Sequence, residues 1–266
     1  TRTPLTIGVA PADSEEPGDI LFNVSEPVVF EDGKFNIIIA NGIPGDADNP
    51  FELVQNTEGV LFSEDPDQVD VTVFHGSPGA PAVDVTARDL GAELVSDLAY
   101  GNFSGVLPID PDTYYLEITP GDSDALVATF ESEIPEGLAG FGVTVVASGL
   151  LGDEPPFDLI AFSPLGDAVR FTPVAQVQVV HNSAAPTVDV YANGDLLLDN
   201  FAYRTATPFV DLPTRTDIDL AVAGEDSNSA DDAIATFEDI RFEDGLKYIV
   251  MATGLVGNAD TPFDLA

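Results

Sequence analysis

Apolar and polar residues alternate along this chain with the two-residue period of half-buried strands. Val69, Val71 and Val73 fall on one side and Asp70 and Thr72 on the other. Tyr114, Leu116 and Ile118 oppose Tyr115, Glu117 and Thr119, and Ile218, Leu220 and Val222 oppose Asp217 and Asp219. Val177 and Val179 alternate with Gln176 and Gln178, and Leu5, Ile7 and Val9 repeat the pattern near the start. Three stretches are almost continuously apolar: Phe35 to Ile43, Phe141 to Leu150 and Tyr248 to Leu255. Strands buried in the middle of a sandwich read this way. Gly, Pro, Asp and Asn interrupt the chain roughly every eight to twelve residues, and no long helical period appears. The pattern predicts an all-β fold of Ig-like or transthyretin-like antiparallel sandwiches.

One phrase is written three times. Gly42-Ile43-Pro44-Gly45 leads to Pro50-Phe51-Glu52-Leu53, Gly149-Leu150-Leu151-Gly152 to Pro156-Phe157-Asp158-Leu159, and Gly254-Leu255-Val256-Gly257 to Pro262-Phe263-Asp264-Leu265. The three Phe residues are spaced 106 apart. That is the length of a domain, far beyond the ~20–50 residues of a solenoid coil. The repeat divides the chain into 1–67, the back part of a first copy; 68–172, a complete copy; and 173–266, a third copy without its last strand. Thr1-Arg2-Thr3 matches Thr214-Arg215-Thr216, so the first copy begins partway through. Either the chain is a piece of a longer array, or neighbours complete its open edges by strand exchange. The deficits are several strands at the front and one at the back, which argues against a simple exchange.

Charge narrows the partners. Asp and Glu number 47 against 8 Lys and Arg, a formal net charge of −39, and Lys34 and Lys247 are the only lysines. Such a chain repels phosphate backbones and anionic membranes, so no nucleic-acid partner and no membrane insertion are expected. At 1 M salt the Debye length falls to ~3 Å and the self-repulsion is largely screened. The excess of acid, larger than simple solubility would need, points to a salt-adapted protein or to divalent-cation binding, with plain solubility as the remaining reading. Cysteine is absent, which excludes disulfides, thiolate metal sites and Cys nucleophiles. No apolar run reaches the ~18–20 residues of a membrane helix.

The run Val73-Phe74-His75-Gly76-Ser77-Pro78-Gly79-Ala80-Pro81-Ala82-Val83-Asp84-Val85 resembles the opening signature of the family called domain of unknown function 4397, DUF4397. So does Val179-Val180-His181-Asn182-Ser183-Ala184-Ala185-Pro186-Thr187-Val188-Asp189-Val190-Tyr191-Ala192-Asn193-Gly194. The steps Leu98-Ala99-Tyr100 and Phe201-Ala202-Tyr203 and the closing Pro-Phe-Asp-Leu phrase continue the resemblance. It covers the second and third copies and reaches only the back half of the first. It implies a secreted or surface-anchored β-sandwich repeat and no defined activity. Arg88-Asp89-Leu90-Gly91 departs from the short Asn-Gly turn that the third copy carries at Asn193-Gly194, so a different loop is expected there.

Several residue types invite a chemical reading. His75 and His181 are the only histidines, one per recognisable opening, and Asp84 or Asp189 is a conceivable partner for general-base chemistry. The alternative is that each imidazole braces a turn. Ser77 and Ser183 follow two residues later, but no Gly-x-Ser-x-Gly elbow surrounds them. Acidic clusters recur between apolar strands: Asp13-Ser14-Glu15-Glu16 with Asp19, Asp122-Ser123-Asp124, and Glu225-Asp226 with Asp231-Asp232. A second set, Asp46 with Asp48 and Asn258 with Asp260, precedes the Pro-Phe phrase. Calcium takes six to eight oxygens, so Asp46, Asp48, Asp122, Asp124 and Asp260 are candidate ligands, although no complete EF-hand-type loop is present. Solvated hairpin tips are the other reading. Asn23-Val24-Ser25 and Asn102-Phe103-Ser104 fit the glycosylation sequon. Phe51, Phe157 and Phe263 read as structural anchors, each burial worth roughly 1.5–3 kcal/mol.

These readings converge on a non-enzymatic extracellular structural repeat at the cell surface: a stalk, sheath or filament subunit that associates with itself or with neighbouring repeats. No catalytic residues and no cofactor are expected. The alternative is an adhesin module gripping glycan or protein, with calcium as its one candidate ion.

Overall fold

The structure, a computed structural model, describes residues 4–23, 27–30, 32–184 and 186–266. Thr1-Arg2-Thr3 and the Val24-Ser25 part of the first sequon lie outside them. The described residues form strands, turns and four single-turn 3-10 helices, so the all-β expectation holds. The chain divides into two compact units: Thr1–Ala125 with Glu131–Phe171, and Leu126–Phe130 with Thr172–Ala266.

Two sheets form the middle copy of the first unit. One runs in the order Phe103–Ile109, Val69–His75, Gly142–Ser148, Asp158–Phe162, Ala168–Arg170. The other contains Ala92–Leu98, Val83–Ala87 and Thr113–Pro120. Val71, Val85, Val95, Tyr114, Val143, Val145 and Leu159 are buried. Hairpin neighbours pair antiparallel, but Val69–His75 and Gly142–Ser148 run parallel, with Val71 opposite Val143 and His75 opposite Ala147. A parallel pair demands a crossover, and the intervening strands supply it through the second sheet. Periodicity cannot show this, because alternation reads the same in either orientation.

The second unit repeats the plan. Val210–Pro213, Thr172–His181, Lys247–Thr253 and Asp264–Leu265 are successive neighbours. Asp195–Phe201, Val188–Ala192, Ile218–Gly224 and Ala233–Ile240 make the facing sheet. The parallel register is the same, Val177 opposite Tyr248 and His181 opposite Ala252.

The first copy departs from its pattern. Leu5 is 49% exposed, not inward-facing, because Val28–Val29 is the single strand paired with Pro4–Leu5 among the described residues. Phe35–Asn41, expected as a buried middle strand, has the single described neighbour Glu52–Gly59, and Phe35 stays exposed. The tail of this copy joins the middle one within the same unit. Ser63 N–H donates to Gly140 O at 2.9 Å and Gly142 N–H to Leu61 O at 3.0 Å. A Cβ on Gly142 would stand 1.8 Å from Val60 O, so only glycine admits the crossing chain. Asp70, opposite Gly142, is buried along with Thr72, so this strand is covered on both faces where a half-buried one was expected.

Candidate functional site

The opening signature folds the same way in both full copies. The first strand ends on His75, whose N–H donates to Asn102 O (3.0 Å) and whose carbonyl accepts from Gly101 N–H (2.8 Å). His181 makes the same pair with Thr205 O (2.9 Å) and Arg204 N–H (2.8 Å). The chain then steps across the parallel neighbour: Gly76 N–H donates to Ala147 O at 2.8 Å and Asn182 N–H to Ala252 O at 3.0 Å. Tyr100 meets the His75 ring edge-on with centroids 6.0 Å apart, and Tyr203 meets His181 likewise at 6.1 Å. The small-aromatic step of the sequence thus supplies a wall for each imidazole.

Both imidazoles are buried and directed at backbone. His75 Nε2 lies 2.9 Å from Pro81 O and Nδ1 accepts from Ser77 N–H at 3.4 Å, which is the neutral Nε2-protonated tautomer. Burial pushes the His75 pKa below its ordinary value, and the Pro81 hydrogen bond opposes that shift only in part. His181 Nε2 lies 3.3 Å from Pro186 O, and its Nδ1 has no partner among the described residues. Ser77 Oγ donates to Gly149 O and Ser183 Oγ to Gly254 O, both at 2.7 Å. These hydroxyls therefore tie the opening signature to the first glycine of the closing phrase. Neither serine is exposed, and each spends its proton on a backbone carbonyl. A nucleophile needs that proton taken by a base, and here a structural bond holds it.

Asp84 and Asp189 do not pair with the histidines. Asp84 Oδ1 accepts from Asp97 N–H at 2.6 Å and Asp189 Oδ1 from Asn200 N–H at 2.9 Å. Asp97 and Asn200 both have left-handed backbone, φ 50° and 52°, at irregular steps of the hairpin register. Each carboxylate thus holds a β-bulge. Asp189 also accepts from Ser227 Oγ at 2.6 Å, and that bond, followed by the one from Asn200, holds its carboxyl below the usual range.

The closing phrase is one loop made three times. Gly42, Gly149 and Gly254 have φ of +86°, +85° and +73°, and a Cβ on them would lie 2.2, 2.1 and 1.9 Å from the carbonyl oxygens of Pro50, Pro156 and Pro262. The next residue closes the loop in each: Ile43 N–H to Asn49 O, Leu150 N–H to Pro155 O, Leu255 N–H to Thr261 O. Phe157 is buried, whereas Phe51 and Phe263 are half-buried. Phe51 packs on Phe22 at 4.8 Å between centroids. Phe263 packs on Phe237 at 5.9 Å and against the Val188, Val190 and Val222 cluster.

Of the acidic candidates Asp46 caps a turn, and Asn258 does so at the matching place. Asp46 Oδ1 accepts from Asp48 and Asn49 N–H, and Asn258 Oδ1 accepts from Asp260 and Thr261 N–H. Asp122 and Asp124 are exposed at a turn between strands, as is Asp48, and Asp260 is exposed in its loop. Among the described residues no three His, Asp or Glu side chains gather as metal ligands. Arg88–Leu90 forms a 3-10 turn closed by Gly91, while Asn193-Gly194 makes the tight left-handed turn, so the two loops do differ.

One residue escaped the sequence reading: Ser132. The alternation Phe130, Ser132 places it on the inward side of its strand, where it is buried. A polar residue on an apolar face was the available signal.

The family model described as domain of unknown function (DUF4397) matches residues 69–163 and again 175–264. No curated protein matches the chain.

Proposed function

From the premise that this chain belongs to the DUF4397 family and carries two tandem copies of its domain, we propose that it is a non-enzymatic structural repeat of an extracellular surface assembly. One observation carries the reading: the most distinctive residues of the family signature are consumed in bracing. His75 with His181, Ser77 with Ser183, and Asp84 with Asp189 each direct polar atoms at the backbone of their own copy. What the copies share is architecture, and architecture is what a stalk, sheath or filament repeats. Imaging of the native surface tests the proposal. Periodic contacts between successive copies are expected, and discrete, unattached monomers would overturn it.

The acid excess fits the same setting. Arg170 reaches Asp158 at 3.2 Å, and Arg215 and Arg241 pair with Asp244 and Asp217. Yet 8 cations leave most of 47 carboxylates unmatched however they pair. The fold is expected to lose stability as salt falls from molar to millimolar, read by thermal unfolding at each concentration. An indifferent melting curve would dismiss salt adaptation.

A further inference from the structure

The middle copy keeps a cavity of about 430 Å³ between its two sheets, walled by residues such as Val71, Val85, Leu107, Leu116, Val145 and Leu159. Close-packed interiors keep few voids larger than a water molecule, and this volume lies in the range of small-molecule sites. The third copy places a larger side chain at the matching register. Tyr248 opposite Val177 takes the register place that Val143 holds opposite Val71. Its ring lies 4.9 Å from that of buried Phe242, and both pack with Ala175, Val177 and Ile218.

Ser132 supplies the second, independent observation. It lines the cavity, is 1% exposed, and its Oγ has no hydrogen-bond partner among the described residues. Leaving a buried hydroxyl unpaired costs about 1–3 kcal/mol. The hydroxyl's donor and acceptor capacity is therefore open to a ligand group within reach. The rim adds a third. Leu90 and Val169, 61% and 53% exposed, stand at the opening with Glu133 and Asp167. The described wall residues include no Lys or Arg. Rim carboxylates and a chain of charge −39 disfavour an anionic guest.

We propose that this cavity binds a neutral apolar small molecule bearing one hydrogen-bonding group, such as an aliphatic alcohol. Its chain of roughly ten carbons lies among the valines and leucines, and its hydroxyl pairs with Ser132 Oγ. The third copy, where Tyr248 packs against Phe242, takes none. The test loads the full chain with pyrene and displaces it with 1-decanol or decanoate, read by fluorescence. One decanol per chain is expected, bound at least tenfold tighter than decanoate. Val143→Tyr, which imports the third copy's residue, and Ala161→Leu, which narrows the same space, should each weaken decanol at least tenfold. Ser132→Ala should weaken decanol three- to tenfold and leave pyrene unchanged. Unchanged decanol affinity in a folded cavity-filling variant, two guests per chain, or equal affinity for decanoate would overturn the proposal. Should neither filling variant fold, methyl chemical shifts of the unmodified chain decide. Shifts at Val71, Val85 and Leu107 on adding decanol support the site, and shifts only elsewhere overturn it.

Discussion

The second and third copies share a frame but not an interior. Both lay their first strand parallel to the strand before the Pro-Phe loop, and both seat a buried histidine at its end. Both lock the loop glycine with a serine hydroxyl at 2.7 Å. Between the sheets they diverge: Val143 lines a cavity in one, and Tyr248 packs against Phe242 at the matching register in the other. The lesson is about where specificity resides. Backbone bonds at the strand ends tolerate many interiors, because they fix the sheets by directional contacts that no core side chain enters. Core volume is then free to vary, subject only to packing.

The largest test of this comparison uses the matched phenylalanines. Phe157→Ala should cost about 3–5 kcal/mol because its ring is buried, and Phe263→Ala about 1–3 kcal/mol because its ring is half-exposed. Denaturant unfolding of each variant measures both, and equal losses would break the distinction. The shared loop should respond equally in the two copies. Gly149→Ala and Gly254→Ala each combine a positive φ with a Cβ driven into a proline carbonyl, costing about 2–4 kcal/mol. Gly152→Ala, at φ +75° with open space around it, isolates the backbone part at about 1–2 kcal/mol. A Gly149 variant no worse than the Gly152 variant would remove the close approach as a cause. Ser77→Ala and Ser183→Ala should each lose about 1–2 kcal/mol by leaving a loop carbonyl unpaired, and a neutral result in either copy would end the claim of a common lock.

Acid should separate the copies most finely. Burial lowers the His75 pKa, so the unfolded chain binds the proton first. The middle copy's stability is full above the ordinary value of 6.5 and declines as pH falls below it toward the folded pKa. Asp189 works lower down, since its carboxyl is held below 3.8 by the Ser227 hydroxyl. Its contribution is present above 3.8 and is lost as pH falls through the depressed folded value. Hydrogen exchange in Val69–His75 and Val188–Ala192 reads the two separately. His75→Gln should flatten the first profile in mild acid, and an unaltered slope would detach it from this histidine.

Much of the fold was legible because alternation and turn residues report burial directly. Tyr114 and Ile118 turn inward and Asp219 stays exposed, as their period requires. Leu5 misled because its period promises a covering layer that Pro4–Leu5 does not meet. Asp70 and Thr72 misled in the opposite sense, in a strand covered on both faces. The histidines could be located but not interpreted. Whether an imidazole acts as base or brace depends on atoms several residues away, Pro81 O for His75 and Pro186 O for His181.

By itself the sequence determined the repeat, its length, the strand content and the family, all of which follow from residue types at fixed spacing along one dimension. Tertiary structure alone decided that one strand pair in each of the second and third copies runs parallel, that Ser77 and Ser183 reach across 72 and 71 residues to a glycine carbonyl, and that Ser132 lines an unfilled interior. Those are outcomes of closure in space. Spacing along the chain sets which residues face inward, but only the meeting of two sheets determines how much volume they leave and which polar atoms find partners.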